Sequence, residues 1–160
     1  MSGAAHAVES RRSFLRLALA TTASVAGSPF PIASAHAAAL PPVVVWKDAN
    51  CGCCDGWVRH MRQAGFSVRV QESGDMAAVK KARGVPDDMQ SCHTAVIDGY
   101  VIEGHVPASD VTRLVTERPS ARGLAVPGMP ASAPGMDQPG EAYAVMLFGT
   151  PDGDQTYARH

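Results

Sequence analysis

The stretch Asn50-Cys51-Gly52-Cys53-Cys54-Asp55 places three cysteines in four positions, directly after an apolar run and directly before a segment with helical apolar spacing. Cys51 and Cys54 have the C-x-x-C spacing of a redox pair, which leaves Cys53 as a surplus thiol. A fourth cysteine, Cys92, lies well downstream. At a helix amino terminus the unpaired backbone N–H groups and the helix dipole favour a thiolate, taking its pKa from about 8.5 to roughly 3.5–7.5. Thiolates attack disulfides and bind soft metals, so the surplus residues must decide between two chemistries.

Residues 1–37 read as an export signal. "SRRSFLR" at 10–16 is followed by the apolar, small-residue stretch "LALATTASVAG" and then "ASAHA". The pair Arg11 and Arg12, with Phe14 and Leu15 behind it, resembles the twin-arginine pattern, and cleavage is expected near Ala35 or Ala37. The apolar run is too short to serve as a bilayer-spanning anchor. The expectation is therefore passage through the twin-arginine translocon into the periplasm, with no stable membrane anchor. The remaining chain, 38–160, suits one modest domain with a single core. Taking Arg11, Arg12, Arg16 and Glu9 from the 14 basic and 15 acidic residues leaves 11 and 14, a net charge of −3. No basic stripe survives, which excludes nucleic acid as an expected partner. All four cysteines lie in the retained part, where an oxidising compartment makes disulfides the default.

"PPVVVWKD" at 41–48 reads as a buried strand entered through two prolines. A helix is expected from about Cys54 to Ala64, with Trp57, Val58 and Met61 on its apolar face and Gly65 as its left-handed stop. "FSVRVQES" at 66–73 alternates as a second strand. Asp75 then caps a short helix that Gly84 ends before Pro86. "TAVIDGYVIEGHV" at 94–106 is a hairpin turning at Asp98-Gly99. "SDVTRLVTE" at 109–117 makes a third helix, with Ser109 as cap and Val111, Leu114 and Val115 facing inward. The order βαβαββα, with the cysteines at the amino end of the first helix, resembles the thioredoxin-like layout: an α/β fold with a mixed sheet flanked by helices. Enzymes of that layout set a cis-proline ahead of the first hairpin strand. Here "SCHT" at 91–94 puts Cys92 and His93 in that place. Residues 118–142 are rich in Pro, Gly, Ala and Ser and are expected to form a long loop with no regular element of any length. That loop carries Met129 and Met136 in two "PGM" turns, and C-terminal strands follow it.

In thiol–disulfide exchange Cys51 is the nucleophile and Cys54 the resolving thiol, and Cys53 and Cys92 become liabilities that trap wrong disulfides. For metal binding, Gly52 lets the backbone fold tightly. The adjacent thiolates of Cys53 and Cys54 are expected to point apart, each bridging two ions. Three clustered thiolates with Cys92 suit a small multinuclear cluster of a soft monovalent metal, and Cu(I) fits because thiolate and thioether ligands select it. A single zinc site lacks its usual second C-x-x-C pair. His93 and His105 are candidate secondary ligands, as are Met129 and Met136 if the loop folds over the site. His60, about 10 Å along the helix axis from Cys53, is too far to share an ion and reads as a surface residue.

"CGCCDGWVRHMRQAGF" (51–66), "SCHTAVIDGYVIEGHVP" (91–107) and "GLAVPGMPASAPGM" (123–136), in that order, resemble the periplasmic CopG-type copper-resistance family, and the resemblance spans 43–148. It implies a thioredoxin-like domain that binds copper, with Cys51, Cys53, Cys54 and Cys92 at the family's metal-site positions. The expected function is sequestration or transfer of Cu(I) in copper resistance, with copper ions and other periplasmic copper-handling proteins as partners. Hydrolytic activity is not expected, and redox activity on bound copper stays open. The alternatives are a thiol–disulfide oxidoreductase using Cys51 and Cys54, and a structural module with two disulfides.

Overall fold

Strand β1 (Val43–Lys47) is built from the β-branched run behind Pro41 and Pro42, and it lies inside a seven-stranded sheet of order β2-β1-β3-β4-β5-β6-β7. The computed structural model describes residues 39–136 and 138–160; the expected export signal and the expected cleavage near Ala35 or Ala37 fall outside them. The other strands are β2 (Val68–Glu72), β3 (His93–Ile97), β4 (Tyr100–Glu103), β5 (Gly123–Ala125), β6 (Ala144–Phe148) and β7 (Gln155–Arg159). The helices are α1 (Gly52–Gln63), α2 (Met76–Arg83) and α3 (Ala108–Glu117). The mixed α/β class and the order of the first seven elements agree with the sequence reading. Among the described residues no helix is long and apolar enough to cross a membrane.

Side chains alternate across the sheet because successive strand residues face opposite sides. Val43, Val45, Ala95, Ile97, Ile102 and Leu124 join Trp57, Val58 and Met61 of α1 and Val111 and Leu114 of α3 in one core. Val101, Ala125 and Phe148 face the other way, with Val85 and Met89. Each fully buried large side chain contributes about 1.5–3 kcal/mol, so the Trp57 and Met61 positions, both 0 % exposed, anchor α1 firmly.

Local signals act as read at several points. Asp75 Oδ1 accepts the Ala78 N–H at 2.9 Å, and Gly84 closes α2 with φ +72°. Asp98 and Gly99 turn the hairpin with φ values of +47° and +88°. Other expectations need correction. α1 begins at Gly52, two residues earlier than expected, which brings Cys53 as well as Cys54 into its first turn. Ser109 does not cap α3: the helix starts at Ala108, and its first N–H donates to Nε2 of His60 at 3.0 Å. His60 is thus a half-buried capping residue and not a surface one. The segment 118–142 contains β5, a short strand pairing in parallel with β4, so it is not wholly irregular.

Register explains why distant segments meet. Lys47 at the end of β1 pairs with His93 at the start of β3, and Thr94 pairs with Glu103 at the end of β4. Glu103 in turn pairs with Ala125 at the end of β5. The chain leaving β1, entering β3, leaving β4 and leaving β5 therefore converges at one end of the sheet.

Candidate metal centre

The residues leaving β1 form a tight turn, with the Asn50 N–H on Asp48 Oδ1 at 2.8 Å and the Cys51 N–H on Asp48 O at 3.1 Å. Lys47, only 3 % exposed, holds this turn from beneath. Its Nζ lies 3.2 Å from Asp55 Oδ1 in the first turn of α1 and donates to the Asp48 carbonyl at 3.0 Å. The turn delivers Cys51 to the N-cap position of α1, where its side chain makes no capping hydrogen bond.

Cys51 and Cys54 are joined as a disulfide, and Cys53 and Cys92 are free thiols. Cys54 is fully buried, whereas Cys51 is half-buried. Cys53 Sγ stands 3.5 Å from Cys51 Sγ, and Cys54 Sγ lies 3.9 Å from the Cys92 carbonyl oxygen. All four sulfurs lie within 4.8 Å of one another. The expected divergence of the Cys53 and Cys54 sulfurs is not observed, because Cys54 turns inward to Cys51 while Cys53 reaches back over the same turn. Gly52 also plays a different part from the one expected. A Cβ there would meet nothing within 4 Å, so no close approach demands a glycine at this position.

Cys92 also belongs to a second group, with His93 and His105, whose ligand atoms again lie within 4.8 Å of one another. His105 Nδ1 donates to the Pro134 carbonyl at 2.8 Å, since a carbonyl only accepts. In the neutral ring that leaves Nε2 as the acceptor, and it faces Cys92 Sγ at 3.0 Å. The Cys92 proton is thereby directed at His105, and His93 Nδ1, 3.3 Å from the same sulfur, is placed to donate to it. His93 is 0 % exposed, with its ring 4.5 Å from that of Trp57 and 5.0 Å from that of His105, and its Nε2 has no hydrogen-bond partner among the described residues. Burial, then the neighbouring His105 and Lys80, hold the His93 pKa well below 6.5, so the ring is neutral near pH 7. Burial, with the neighbouring Cys53 adding to it, pushes the Cys92 thiol up from 9.0 to about 12.

The long loop closes over this end of the sheet. Gly135 packs back to back with Gly56 of α1: a Cβ on Gly56 would meet the Gly135 oxygen at 2.5 Å. Pro134 takes the His105 bond, and Met136 follows as a half-buried residue. Met129 is 57 % exposed and follows Gly128, whose N–H donates to Gln90 O at 3.0 Å. The fold thus brings the four cysteines, His93 and His105 together, while Met136 and Met129 lie in the covering loop, half-buried and exposed respectively. Sequence reasoning missed Lys47, Lys80 and Glu103, whose charges gave no sign of burial.

A family model described as "Protein of unknown function, DUF411" matches residues 89–136. No curated protein sequence matches the chain. Two solved structures, titled "Copper resistance protein copG- Form 2" and "Copper resistance protein copG- Form 1", are each 45% identical to it, with a TM-score of 0.70. Each match covers 76% of this chain and 98% of the solved one.

Proposed function

The chain belongs to the family of the copper resistance protein CopG, and from that premise we propose that it is an exported protein that sequesters or hands on Cu(I) in the periplasm. Its cargo ligands are the thiolates of Cys51, Cys53, Cys54 and Cys92. The observation that carries this reading is the packing of four sulfurs within 4.8 Å of one another, with Cys51, Cys53 and Cys92 only half-buried. Soft thiolates in that number select Cu(I) over harder ions, and sulfurs this close together suit bridging between ions. His93 and His105 are secondary ligands or donors to the Cys92 sulfur, and Met136 and Met129 supply thioethers from the covering loop. Passage through the twin-arginine translocon and exchange with other periplasmic copper-handling proteins complete the proposal.

The Cys51–Cys54 disulfide must take up two electrons and two protons to become two thiols before all four sulfurs can serve. Loading is therefore tied to reduction. Protein reduced and titrated with Cu(I) under anaerobic conditions should bind more copper per chain than protein titrated with the disulfide intact. Equal loading in both states would remove Cys51 and Cys54 from the ligand set.

A second reading, thiol–disulfide exchange, is favoured by the disulfide itself, with a half-exposed Cys51 and a fully buried Cys54 at a helix start. It predicts insulin reduction that survives Cys53→Ser. The copper reading predicts no insulin reduction above background by the wild type, and a strong dependence of copper binding on Cys53.

A further inference from the structure

Beneath the Cys92 loop, on the face of the sheet opposite Trp57, lies a group of polar side chains that neither chemistry uses. Glu103 is 0 % exposed at the end of β4, and Lys80, from α2, is 5 % exposed. Glu103 Oε1 receives Lys80 Nζ at 2.5 Å and the backbone N–H of Ser91 at 2.7 Å. Its Oε2 accepts the Thr94 hydroxyl at 2.6 Å, and Lys80 Nζ donates also to Thr94 Oγ1 at 3.2 Å. One carboxylate thus holds the residue immediately before Cys92 and the residue immediately after His93. The chain between these two grips is the Cys92–His93 pair.

A buried ion pair is a poor way to stabilise a fold, because the desolvation of two charges offsets much of their attraction, and apolar replacements of similar volume are often no worse. What a carboxylate does well is fix a backbone donor through a charge-assisted hydrogen bond. The Glu103 backbone joins the same arrangement: its carbonyl accepts the Val126 N–H at 3.0 Å, where the covering loop begins, and the next N–H, of Gly104, donates to His93 O at 2.9 Å.

We infer that Glu103, charge-compensated by Lys80 and tied to Thr94, is a positioning residue for Cys92: through the Ser91 N–H it sets the loop so that the Cys92 sulfur faces Cys53 and His105. This deepens the copper reading by assigning the placement of the fourth sulfur, yet the placement itself is measurable without copper.

The test compares two double variants. Lys80→Met with Glu103→Gln removes the ion pair but keeps an amide oxygen to accept the Ser91 N–H. Lys80→Met with Glu103→Leu removes both the charges and the grip. In the reduced, metal-free protein, alkylation of Cys92 by iodoacetamide, located by peptide mass mapping, should be faster by about tenfold or more in the Leu pair and within about threefold of wild type in the Gln pair. Thermal unfolding and circular dichroism establish that both pairs are folded. A single-site comparison covers failure of the Leu pair to fold. Ser91→Pro deletes the donor itself, at a position where Gln90, with φ −68° and ψ 145°, already has the backbone that a following proline requires. Ser91→Ala keeps the backbone donor and loses the hydroxyl that donates to the Gly128 carbonyl, a loss it shares with Ser91→Pro. Cys92 in Ser91→Pro should react as fast as in the Leu pair, and several-fold faster than in Ser91→Ala, which lacks the same hydroxyl but keeps the N–H. Equal Cys92 reactivity in a folded Leu pair and the Gln pair, or in Ser91→Pro and Ser91→Ala, overturns the inference. Cu(I) affinity on the same samples is scored separately: a wild type that binds no copper sinks the copper reading and leaves the alkylation result to decide this one.

Discussion

His93 and Cys92 carry opposite pH signatures, because burial favours the neutral form of each. His93 titrates well below 6.5 in the folded protein, so as pH falls through 6.5 the unfolded chain gains a proton that the folded chain does not. Stability present above 6.5 is then lost on the acid side, with a slope of up to about 1.4 kcal/mol per pH unit from this one group. Urea unfolding of the reduced, metal-free protein between about pH 4 and 7 should give a flatter acid limb for His93→Phe than for wild type; parallel limbs would contradict the neutral, buried assignment. Cys92, raised to about 12, is protonated throughout the physiological range. A metal that binds its sulfur must displace that proton, so Cu(I) affinity should rise with pH, by up to about tenfold per unit for the proton released at this sulfur. A chelator competition read at several pH values checks this, and Cys92→Ala should reduce the slope. His93 and His105 were legible as candidates because they flank Cys92 and end the hairpin. Lys80 and Glu103 were not: a lysine in "VKKAR" and a glutamate at a strand end look like solvated charges until α2 packs on β1 and β3 and Lys80 reaches Glu103.

Elements announced themselves where the physics is local. The hairpin turn, the Asp75 cap and the Gly84 stop each follow from backbone preferences of one or two residues. Beyond the start of α1 and the cysteine turn itself, what failed depended on a distant partner. The capping of α3 by His60 arises only because α1 lies beside it, and β5 is a strand only because β4 offers its edge to residues 123–125. The contact between α1 and the covering loop is of the same kind, with two glycines meeting so closely that neither tolerates a Cβ. Gly56→Ala should therefore lower stability by about 1–3 kcal/mol and raise proteolytic cleavage within 127–142 as the loop is pushed away. Gly52→Ala, in the same helix but facing open space, should be neutral or slightly stabilising. Thermal unfolding and limited proteolysis of the two variants side by side read this directly; equal behaviour would mean that the loop is not held through Gly56.

At the scale of the whole molecule, the sheet register is what turns four separate sequence motifs into one site. The strand ends at Lys47, His93, Glu103 and Ala125 align across four neighbouring strands, so the C-x-C-C turn, the Cys92 loop, His105 and the methionine-bearing loop share one end of the sheet. The approach of Cys92 to the first three cysteines was legible through the thioredoxin-like resemblance, which sets residues 91–94 where such enzymes have the proline that faces their cysteines. The closure of the loop onto α1 was not, because it rests on a glycine contact and a histidine–carbonyl bond that no periodicity records. The central claim is that all four sulfurs act together on copper. It is tested most directly by measuring copper bound per chain in anaerobically reduced wild type, Cys53→Ser and Cys92→Ala. The account predicts that each variant loses about half of the bound copper or more, and unchanged copper in both would contradict it.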